Sequence, residues 1–501
     1  MLFLTVGGFF LYFMAAQLFP YLNLWDEQYH ALVAKNCMEH PFLPMMYDEP
    51  VVPGHDYSNC CGSYIWLHKQ PLFLWQIALS FKIFGVSLLS LRLPSVVMST
   101  LLIPLFYRMA HLLTNRRDIA YFTGLAVAAS WYLVQLTSGM MSTDHNDVCF
   151  LFYVSASVWA FMEYVHRGRE QWGWALLAGG LAGCAILTKW LVGLLLYLVW
   201  GCYLLFEYGF RLRQWKWGHL FAALCVTLLI AVPWQVYCLH RFPDLARQEL
   251  FYNFQHLGQA VEDHTGKATF YLMVLPMQYF GRGPVIYNIR FLWDFHTILC
   301  YVVLAIGLVI SIRAARTRSH WQTLVSVLLF VFLFFSLATT KMPSFTFVLC
   351  FIGFMAIGCV LSALDRSLLQ KMRHKTFRTL LTAVLCVAFC LYSTNYRYFY
   401  KESFPIYFQL LKDNVEYYKR WDKELPENCM VFCVKSPSLS KEDYTSCISA
   451  MFYSNRQCYT ELPPMSVLHE LQEAGKTIAV VKNPWSVDAD LDSTVVWVDM
   501  K

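Results

Sequence analysis

Charged residues are scarce in this sequence. Asp, Glu, Lys and Arg make up 14% of its 501 residues, while hydrophobic residues make up 57%. Soluble domains carry about 25% charged residues, and long apolar stretches are typical of membrane spans. The composition therefore excludes an ordinary soluble protein and predicts a polytopic membrane protein. The net charge of +6 says little by itself, because orientation depends on where the positive charges lie.

Signals of other protein classes are also missing. The sequence has no internal repeat, no low-complexity tract and no cysteine spacing typical of a zinc knuckle. Its N-terminus lacks the basic region and the cleavage site of a signal peptide, so we expect residues 3–22 to form an uncleaved first span. Most of the 17 cysteines lie in apolar runs, but those outside could form disulfides in an oxidising compartment. The cysteines outside are Cys37, Cys60, Cys61, Cys429, Cys433, Cys447 and Cys458.

Long apolar stretches are abundant. Stretches of roughly 17 to 22 residues match a hydrocarbon core about 30 Å thick. They predict about eleven spans, with the N-terminus inside and the C-terminus outside. The stretches lie near residues 3–22, 91–112, 119–137, 147–165, 172–188, 191–208, 218–238, 296–312, 322–338, 345–363 and 378–394.

Basic residues are concentrated in every second connector between these stretches. The positive-inside rule places such connectors in the cytoplasm. The basic connectors are residues 108–118, 166–171, 207–218, 313–320 and 365–378. The connectors that alternate with them have few basic residues for their length, so we expect them on the outer face. These are residues 138–147, 188–190, 239–295 and 339–345.

One further apolar segment, residues 70–89, does not fit this alternation. If it crossed the membrane, every later connector would change sides and the pattern of basic residues would invert. We therefore favour an interfacial or re-entrant helix, with Lys82 reaching to the lipid headgroups. The alternative is that 70–89 is a true span and that one of the other stretches is not.

The composition changes near residue 395. Residues 395–501 contain Pro, Asn, Ser, Asp and Glu in ordinary soluble proportions. The segments CMVFCV, KTIAVVK and STVVWVDM read as short buried strands, and SVLHELQEAG reads as a helix. We therefore predict a membrane domain over 1–394 and a small α/β domain on the outer face over 395–501.

Acidic, basic and imidazole side chains collect in the connectors predicted to be outside, beginning with Asp26 and Glu27. Ionisable groups at membrane depth are costly and usually functional. A carboxylate there can act as a general base on a hydroxyl group, and lysines beside it can bind the phosphate of a lipid carrier. The pattern indicates glycosyl or phosphoryl transfer from such a carrier.

Eight motifs, in the same order along the chain, resemble bacterial membrane glycosyltransferases of the protein-O-mannosyltransferase type. That family includes the enzymes that move aminoarabinose onto lipid A. The motifs are WDEQYHALVAKNCMEH (25–40), HKQPLFLWQIALSFKIFG (68–85), RLPS (92–95), STDHNDVCFLFY (142–153), LTKWLVG (187–193), VPWQVY (232–237), FYNFQHLGQAVEDHTGKATFYL (251–272) and ATTKMPSF (338–345).

The resemblance implies a mainly helical C-type glycosyltransferase (GT-C) fold and a polyprenyl-phosphate sugar donor. It also implies inverting transfer at the periplasmic face of the bacterial cytoplasmic membrane, to lipid A, a surface glycan or a protein. A donor with a single phosphate needs no metal cofactor, although a divalent metal could take part. No nucleic acid partner is implied.

The resemblance also suggests roles for particular residues. Asp26 matches the catalytic base. Glu27 beside it is the second expected catalytic residue, which binds the acceptor or orients the loop; position alone does not say which of the two is the base. The expected ligands of the donor phosphate are Lys69, Lys189, Lys341 and Arg282. The expected substrate-binding residues are Tyr29, His68, Asp144, Asp147, His256 and His264. The second-loop acid of the family is Asp144 or Asp147, because the motif fits either with a shift of three.

The chain departs from the family at three places. Gln70 stands where the family usually has a proline. After Asn253-Phe254 in the long outer loop the family often has an arginine, and here Gln255, His256 and Leu257 stand there. After the T-K-x-P motif the family usually has a tyrosine, and here the nearest aromatic residue is Phe345. Two other functions stay open from the residues alone. A transporter or flippase of lipid-linked sugars would also need outer charge, but should show repeat symmetry. A structural scaffold would leave Asp26 and Glu27 as a solvated pair at a helix start.

Overall fold

The computed structural model describes residues 1–23, 25–47, 51, 64–141, 145–259, 264–281, 295–369, 372, 374–393, 405–434, 445–482, 486 and 495–499. The protein is mainly helical and has one small sheet. In chain order, the helices are α1 (Leu2–Leu18), α2 (Asp26–Asn36), α3 (Pro71–Phe84), α4 (Leu88–Thr114), α5 (Arg117–Ala128), α6 (Trp131–Thr137), α7 (Asp147–His166), α8 (Trp172–Lys189), α9 (Leu195–Tyr208), α10 (Trp217–Arg241), α11 (Pro243–Gly258), α12 (Phe270–Phe280), α13 (Phe295–Ala314), α14 (Arg318–Leu337), α15 (Cys350–Leu364), α16 (Lys375–Ser393), α17 (Pro405–Glu424), α18 (Thr445–Ser454) and α19 (Met465–Glu473). The strands are β1 (Cys429–Phe432), β2 (Gln457–Cys458), β3 (Thr477–Lys482) and β4 (Val496–Asp499).

The helices agree with the predicted membrane spans. Each of the eleven apolar stretches coincides with a helix or with a pair of consecutive helices. Among the described residues, seven helical segments are long and apolar enough to cross a membrane, and the pair α5–α6, bent by 46°, would be an eighth. The protein is therefore a multi-pass membrane protein. The total of about eleven spans stays a prediction.

Helix α3 covers the segment that did not fit the alternation of connectors. It has 14 residues and so is about 21 Å long at about 1.5 Å per residue. That length is less than the thickness of a hydrocarbon core of about 30 Å. The interfacial interpretation of residues 70–89 is compatible with this length and stays a prediction.

By its contacts the chain divides into two compact units. The first comprises Met1–Leu18, Pro94–Ser138 and Asn146–Phe399. The second comprises Phe19–Leu93, Gly139–His145 and Tyr400–Lys501. The C-terminal segment thus forms one unit with the first long loop and with part of the second. The predicted domain boundary at residue 394 stays a prediction.

In the first unit, the connectors predicted to be cytoplasmic meet at one end of the helices. Arg169, between α7 and α8, donates a hydrogen bond to the carbonyl of Gln214, between α9 and α10, at 2.9 Å. The backbone N–H of Arg316 donates to the carbonyl of Leu113 at 2.8 Å, and its guanidinium lies 3.3 Å from Nδ1 of His166.

The fifth basic connector reaches the same group. Asp118, at the start of α5, pairs with Arg366 at 2.8 Å and with Arg116 at 2.6 Å. Each of the five basic connectors thus contacts at least one other. The sequence predicts that the basic connectors lie on the same side, and the structure confirms that they lie together at one end of this unit. Which side of the membrane this end faces stays a prediction.

The second unit contains a four-stranded parallel sheet with the strand order β2-β1-β3-β4. The predicted strands and the predicted helix correspond to β1, β3, β4 and α19. Val431 and Val480 from the sheet belong to the same hydrophobic core as Tyr29, Leu32 and Val33 from α2. Helix α2 is therefore packed into the core of the α/β fold.

Several cysteines outside the spans are in this core. Cys37, Cys429 and Cys458 are buried free thiols, so none of them forms a disulfide. Burial raises the pKa of Cys37 to about 12 and that of Cys429 to about 11. These three residues behave as small core side chains. Cys60 and Cys61 lie outside the described residues.

Candidate functional site

Helix α2 carries the acidic pair in its first turn, where carboxylates complement the positive end of the helix dipole. Polar contacts with the C-terminal part of the second unit fix this helix. Gln28 accepts a hydrogen bond from the Ser449 hydroxyl at 2.5 Å. Lys35 donates to Oδ1 of Asn455 at 2.6 Å and to the carbonyl of Met451 at 3.2 Å. Both ends of the short helix are therefore held by α18 and the residue that follows it.

Asp26 and Lys69 are brought together. Nζ of Lys69 lies 3.5 Å from Oδ1 of Asp26, and the two side chains are 22% and 17% exposed, respectively. Lys69 lies just before α3, whose first residue is Pro71, a residue that suits the first position of a helix. A carboxylate and an ammonium group thus face each other in a partly exposed position. Their catalytic and phosphate-binding roles stay predictions.

Glu27, the other acid of the pair, is fully buried. Oε1 accepts from Nε of Arg92 at 2.7 Å, and Oε2 accepts from Nη2 of the same guanidinium at 3.0 Å. Oε2 also accepts from the backbone N–H of Asn23 at 2.6 Å. Despite its burial, the Arg92 guanidinium and these hydrogen bonds lower the pKa of Glu27. Both carboxylate oxygens are therefore engaged within the protein.

Two buried histidines lie next to this ion pair. Nδ1 of His30 is 2.9 Å from Nδ1 of His145, so one ring donates and the other accepts. Nε2 of His145 lies 3.9 Å from Oε1 of Glu27. Burial lowers the pKa of both rings; the neighbouring His145 lowers that of His30 further, while the Glu27 carboxylate opposes the shift of His145. Both rings are therefore held neutral near pH 7.

The other predicted residues of the first loop contribute aromatic contacts. Tyr29 is buried and stacks on Trp66, with ring centroids 5.7 Å apart and an interplanar angle of 6°. The His68 ring lies 5.8 Å from the same indole. These contacts position residues 66–69 against α2. Binding of substrate by Tyr29 and His68 stays a prediction.

A second group of predicted residues lies in the first unit. Asp147, the first residue of α7, forms an ion pair with Lys189 at the end of α8. Nζ of Lys189 also lies 5.5 Å from the centre of the Phe345 ring. Asn146 donates to the carbonyl of Thr188 at 3.1 Å. Three of the connectors predicted to be outside therefore meet here.

Lys341 lies at the C-terminal end of α14. Its ammonium donates to the carbonyls of Phe335 at 3.0 Å, Ser336 at 3.1 Å and Ala338, which satisfies acceptors that a helix end leaves open. Its backbone N–H donates to the carbonyl of His264 at 2.9 Å. Burial lowers the pKa of Lys341. A phosphate ligand here would compete with these carbonyls.

The remaining predicted residues are placed as follows. The carbonyl of His256 accepts from the backbone N–H of Thr340 at 3.2 Å, which ties α11 to the segment before Lys341. Arg282 and Asp144 lie outside the described residues, so the choice between Asp144 and Asp147 stays open. Among the described residues there is no group of three or more His, Cys, Asp and Glu side chains that could hold a metal ion.

Sequence reasoning missed two members of the site. Arg92 lies in the RLPS motif and His145 in the motif of residues 142–153, and neither motif indicates a role for them. The available signal was a lone arginine within an apolar stretch, two residues before Pro94, because an unpaired charge there is costly. Nothing in the sequence predicts the contact between His145 and His30, which are 115 residues apart.

Comparisons with known proteins agree with the fold. The family model described as dolichyl-phosphate-mannose-protein mannosyltransferase matches residues 68–237, about a third of the chain. The undecaprenyl phosphate-alpha-4-amino-4-deoxy-L-arabinose arabinosyl transferase of Pseudomonas paraeruginosa is 31% identical over 221 residues. That match covers 42% of this chain and 38% of the relative. A transferase of the same name from Pseudomonas fluorescens is 24% identical over 56% of this chain and 47% of its own length.

Two solved structures are similar over nearly the whole chain. ArnT from Cupriavidus metallidurans bound to undecaprenyl phosphate has a TM-score of 0.64 at 16% identity, covering 99% of this chain and 89% of that one. The archaeal oligosaccharyltransferase AglB from Archaeoglobus fulgidus has a TM-score of 0.55 at 13% identity, covering 92% and 64%. The predicted GT-C fold and the resemblance read from the motifs are therefore confirmed. The aligned region spans only about two fifths of the length of the first curated relative.

Proposed function

We propose that this protein is an inverting glycosyltransferase that moves a sugar from a polyprenyl-phosphate donor to an acceptor hydroxyl group. The observation that carries the proposal is the partly exposed Asp26–Lys69 pair at 3.5 Å, placed at the start of a buried helix in a GT-C fold. The pair supplies a proton acceptor and a cation for phosphate. We further propose that the reaction takes place at the outer face of the bacterial cytoplasmic membrane.

In the proposed reaction, the acceptor oxygen attacks the anomeric carbon while Asp26 takes its proton. The bond from that carbon to the phosphate oxygen breaks, and its electron pair leaves with polyprenyl phosphate. The Lys69 ammonium stabilises the charge that develops on the phosphate. Because the attack comes from the face opposite the leaving group, the anomeric centre inverts.

Asp26 is the better candidate for the base than Glu27. A general base must come within hydrogen-bond distance of the hydroxyl it deprotonates. Glu27 is fully buried and its oxygens already accept three hydrogen bonds, two from Arg92 and one from Asn23. The side chain of Asp26 is accessible. The roles of Lys189, Lys341 and Arg282 as further phosphate ligands rest on the resemblance alone.

A cavity in the first unit supports a lipid-linked donor. It has a volume of about 110 Å³ and is lined mainly by apolar side chains of α4, α7, α9, α14 and α15, together with the turn before α15. Its mainly apolar lining suits a segment of an isoprenoid chain, which has no polar group to satisfy. Representative lining residues are Val154, Phe161, Val199, Leu324, Val348 and Ile352.

For the sugar, we propose 4-amino-4-deoxy-L-arabinose as the first donor to test, since the curated relatives carry that name. A hexose such as mannose is the second, after the matched family model. Lipid A, a surface glycan or a protein remain the proposed acceptors. We propose that no metal is needed, because a donor with one phosphate has no pyrophosphate to chelate a divalent ion. A transporter of lipid-linked sugars is the alternative function.

The proposal is tested with the full protein in lipid nanodiscs and a panel of radiolabelled polyprenyl-phosphate sugars, with and without EDTA. We expect one donor to be turned over by the wild type and not by Asp26→Ala, with Lys69→Ala strongly impaired. Donor binding without turnover across the panel and all acceptors, unchanged in Asp26→Ala, would contradict the transferase and favour a transporter. Loss of turnover in EDTA would contradict the metal-independent mechanism.

A further inference from the structure

Arg92 directs its guanidinium into the segment that leads to the acidic pair. The residue is fully buried in α4. Nη1 donates to the carbonyl of Phe19 at 2.5 Å and Nη2 donates to that of Tyr21 at 2.9 Å. The same group holds both oxygens of Glu27. Four hydrogen bonds from one rigid side chain thus fix two backbone carbonyls and one carboxylate.

Stability does not account for this arrangement. Removing two charges from water costs several kcal/mol per ion, so a buried pair is often no more stable than well-packed apolar residues of similar volume. What a planar guanidinium does provide is direction, because its donors form a fixed fork that matches a carboxylate. We therefore expect Arg92 to determine the position of nearby side chains more than the stability of the protein.

The side chain whose direction depends on Arg92 is that of Asp26. Trp25, just before it, has a positive φ of 70°, a strained conformation for a residue that is not glycine. The chain is held on both sides of this turn, since Asn23 donates its backbone N–H to Oε2 of Glu27. Successive residues of a helix point about 100° apart. With Glu27 fixed inward on Arg92, Asp26 is turned to the side on which Lys69 lies.

The second loop closes the cluster. The side chain of Asn23 donates to the carbonyl of Gly139 at 2.6 Å. Gly139 has a φ of +73°, and a Cβ there would lie 2.4 Å from Oε1 of Glu27 and 2.7 Å from Nη2 of Arg92. Only a glycine leaves room for the ion pair at this point. Asn23, Glu27, Arg92 and Gly139 are named the anchor cluster below.

We infer that Arg92 is a positioning residue which, through Glu27 and the anchor cluster, sets Asp26 against Lys69. The inference rests on the proposed function for its kinetic consequence, but its structural content is independent of it. It assigns Glu27 a positioning role and leaves the chemistry to Asp26.

The kinetic test compares Arg92→Lys with a matched control, Arg108→Lys. Arg108 makes the same two-pronged contact with a glutamate, Glu163, at 2.6 and 3.1 Å, but in the basic connectors of the first unit. Lysine keeps the charge and loses the fork. We expect kcat of Arg92→Lys to fall by about 10²-fold, the cost of a misplacement of about 1 Å, with KM for the donor within about threefold. Arg108→Lys should keep kcat within about twofold.

A double-mutant cycle with Asp26→Asn separates positioning from a general loss of structure. If Arg92 acts through Asp26, Arg92→Lys should add little to the loss already present in Asp26→Asn. Losses that multiply, an unchanged kcat in Arg92→Lys, or a raised KM with kcat intact would each overturn the inference.

A third measurement needs no turnover. In Asp26→Cys, the rate of modification of residue 26 by a maleimide is measured by peptide mass spectrometry. Adding Arg92→Lys should change that rate by about fivefold or more, while adding Arg108→Lys should not. An unchanged rate would overturn the inference even if the wild type transfers sugar. A changed rate in a protein that turns over no donor would support the positioning of residue 26 and reject the proposed function alone.

Discussion

Gly139→Ala is the change that most directly probes the anchor cluster. Gly139 and Gly85 both have positive φ, +73° and +79°, and both lie in the second unit. They differ in their surroundings. A Cβ on Gly85 would meet nothing within 4 Å, whereas one on Gly139 would lie 2.4 Å from Oε1 of Glu27. Gly85→Ala is therefore a matched control for the backbone cost alone.

The size of the effect follows from these contacts. An alanine in a positive-φ region that residues other than glycine rarely adopt costs about 1–3 kcal/mol, and both variants bear a cost of this kind. In Gly139→Ala the methyl group must also displace the carboxylate of Glu27 from the guanidinium of Arg92. Breaking a buried ion pair costs about 3–5 kcal/mol, because each charge is left without its partner. We expect Gly139→Ala to be less stable than Gly85→Ala by about 3 kcal/mol or more.

The assay is thermal unfolding of the purified proteins in one detergent, followed by tryptophan fluorescence and by retention of the monodisperse peak after heating. The wild type and Gly85→Ala should unfold at neighbouring temperatures, and Gly139→Ala well below both. If the two alanine variants unfold at the same temperature, the segment around Gly139 does not press on the ion pair, and the reasoning is refuted.

Three further predictions concern Lys69, the buried histidines His30 and His145, and the Asp147–Lys189 ion pair. Lys69→Met should lower kcat/KM for the donor by about 10²-fold through kcat, because the cation acts on charge that develops in the transition state; a change confined to KM would contradict this. The free energy of unfolding should fall as pH is lowered from about 8 to 5.5. His30 and His145 have lower pKa values in the folded protein than the usual 6.5, so protonation favours the unfolded chain, by at most about 1.4 kcal/mol per pH unit for each ring. His145→Gln should flatten this dependence in melting curves, and an unchanged slope would contradict it. Lys189→Met should lower the melting temperature, because it leaves the buried carboxylate of Asp147 without its cation. Lys189→Met with Asp147→Asn should recover part of the loss, and equal melting temperatures for the single and double variants would contradict the pairing.

The parts of the fold that follow from periodicity and composition were predictable. The apolar stretches are helices because a helix satisfies its backbone hydrogen bonds within one segment, as a lipid environment requires. Basic connectors such as 108–118 and 313–320 meet at one end because alternate connectors of successive spans return to the same side. The strands of the C-terminal part follow from short apolar runs with β-branched residues.

The anchor cluster was not predictable in the same way. Glu27 and Arg92 are 65 residues apart, and Asn23 and Gly139 are 116 apart. Their contacts depend on how loops fold, and loops have no periodic pattern in the sequence. The same limit explains why the sequence left open which member of the acidic pair is the base. Only burial separates Glu27, enclosed by Arg92, from the accessible Asp26.

The central claim is that a polyprenyl-phosphate sugar is consumed with Asp26 as the base. The most direct measurement is the rate of polyprenyl phosphate release from the preferred donor, in the presence of acceptor, by the wild type and by Asp26→Asn. Aspartate and asparagine have nearly the same size, so the comparison isolates the ability to take a proton. The account predicts a loss of at least about 10²-fold, the lower range for general base catalysis. Release by Asp26→Asn at the wild-type rate would contradict it.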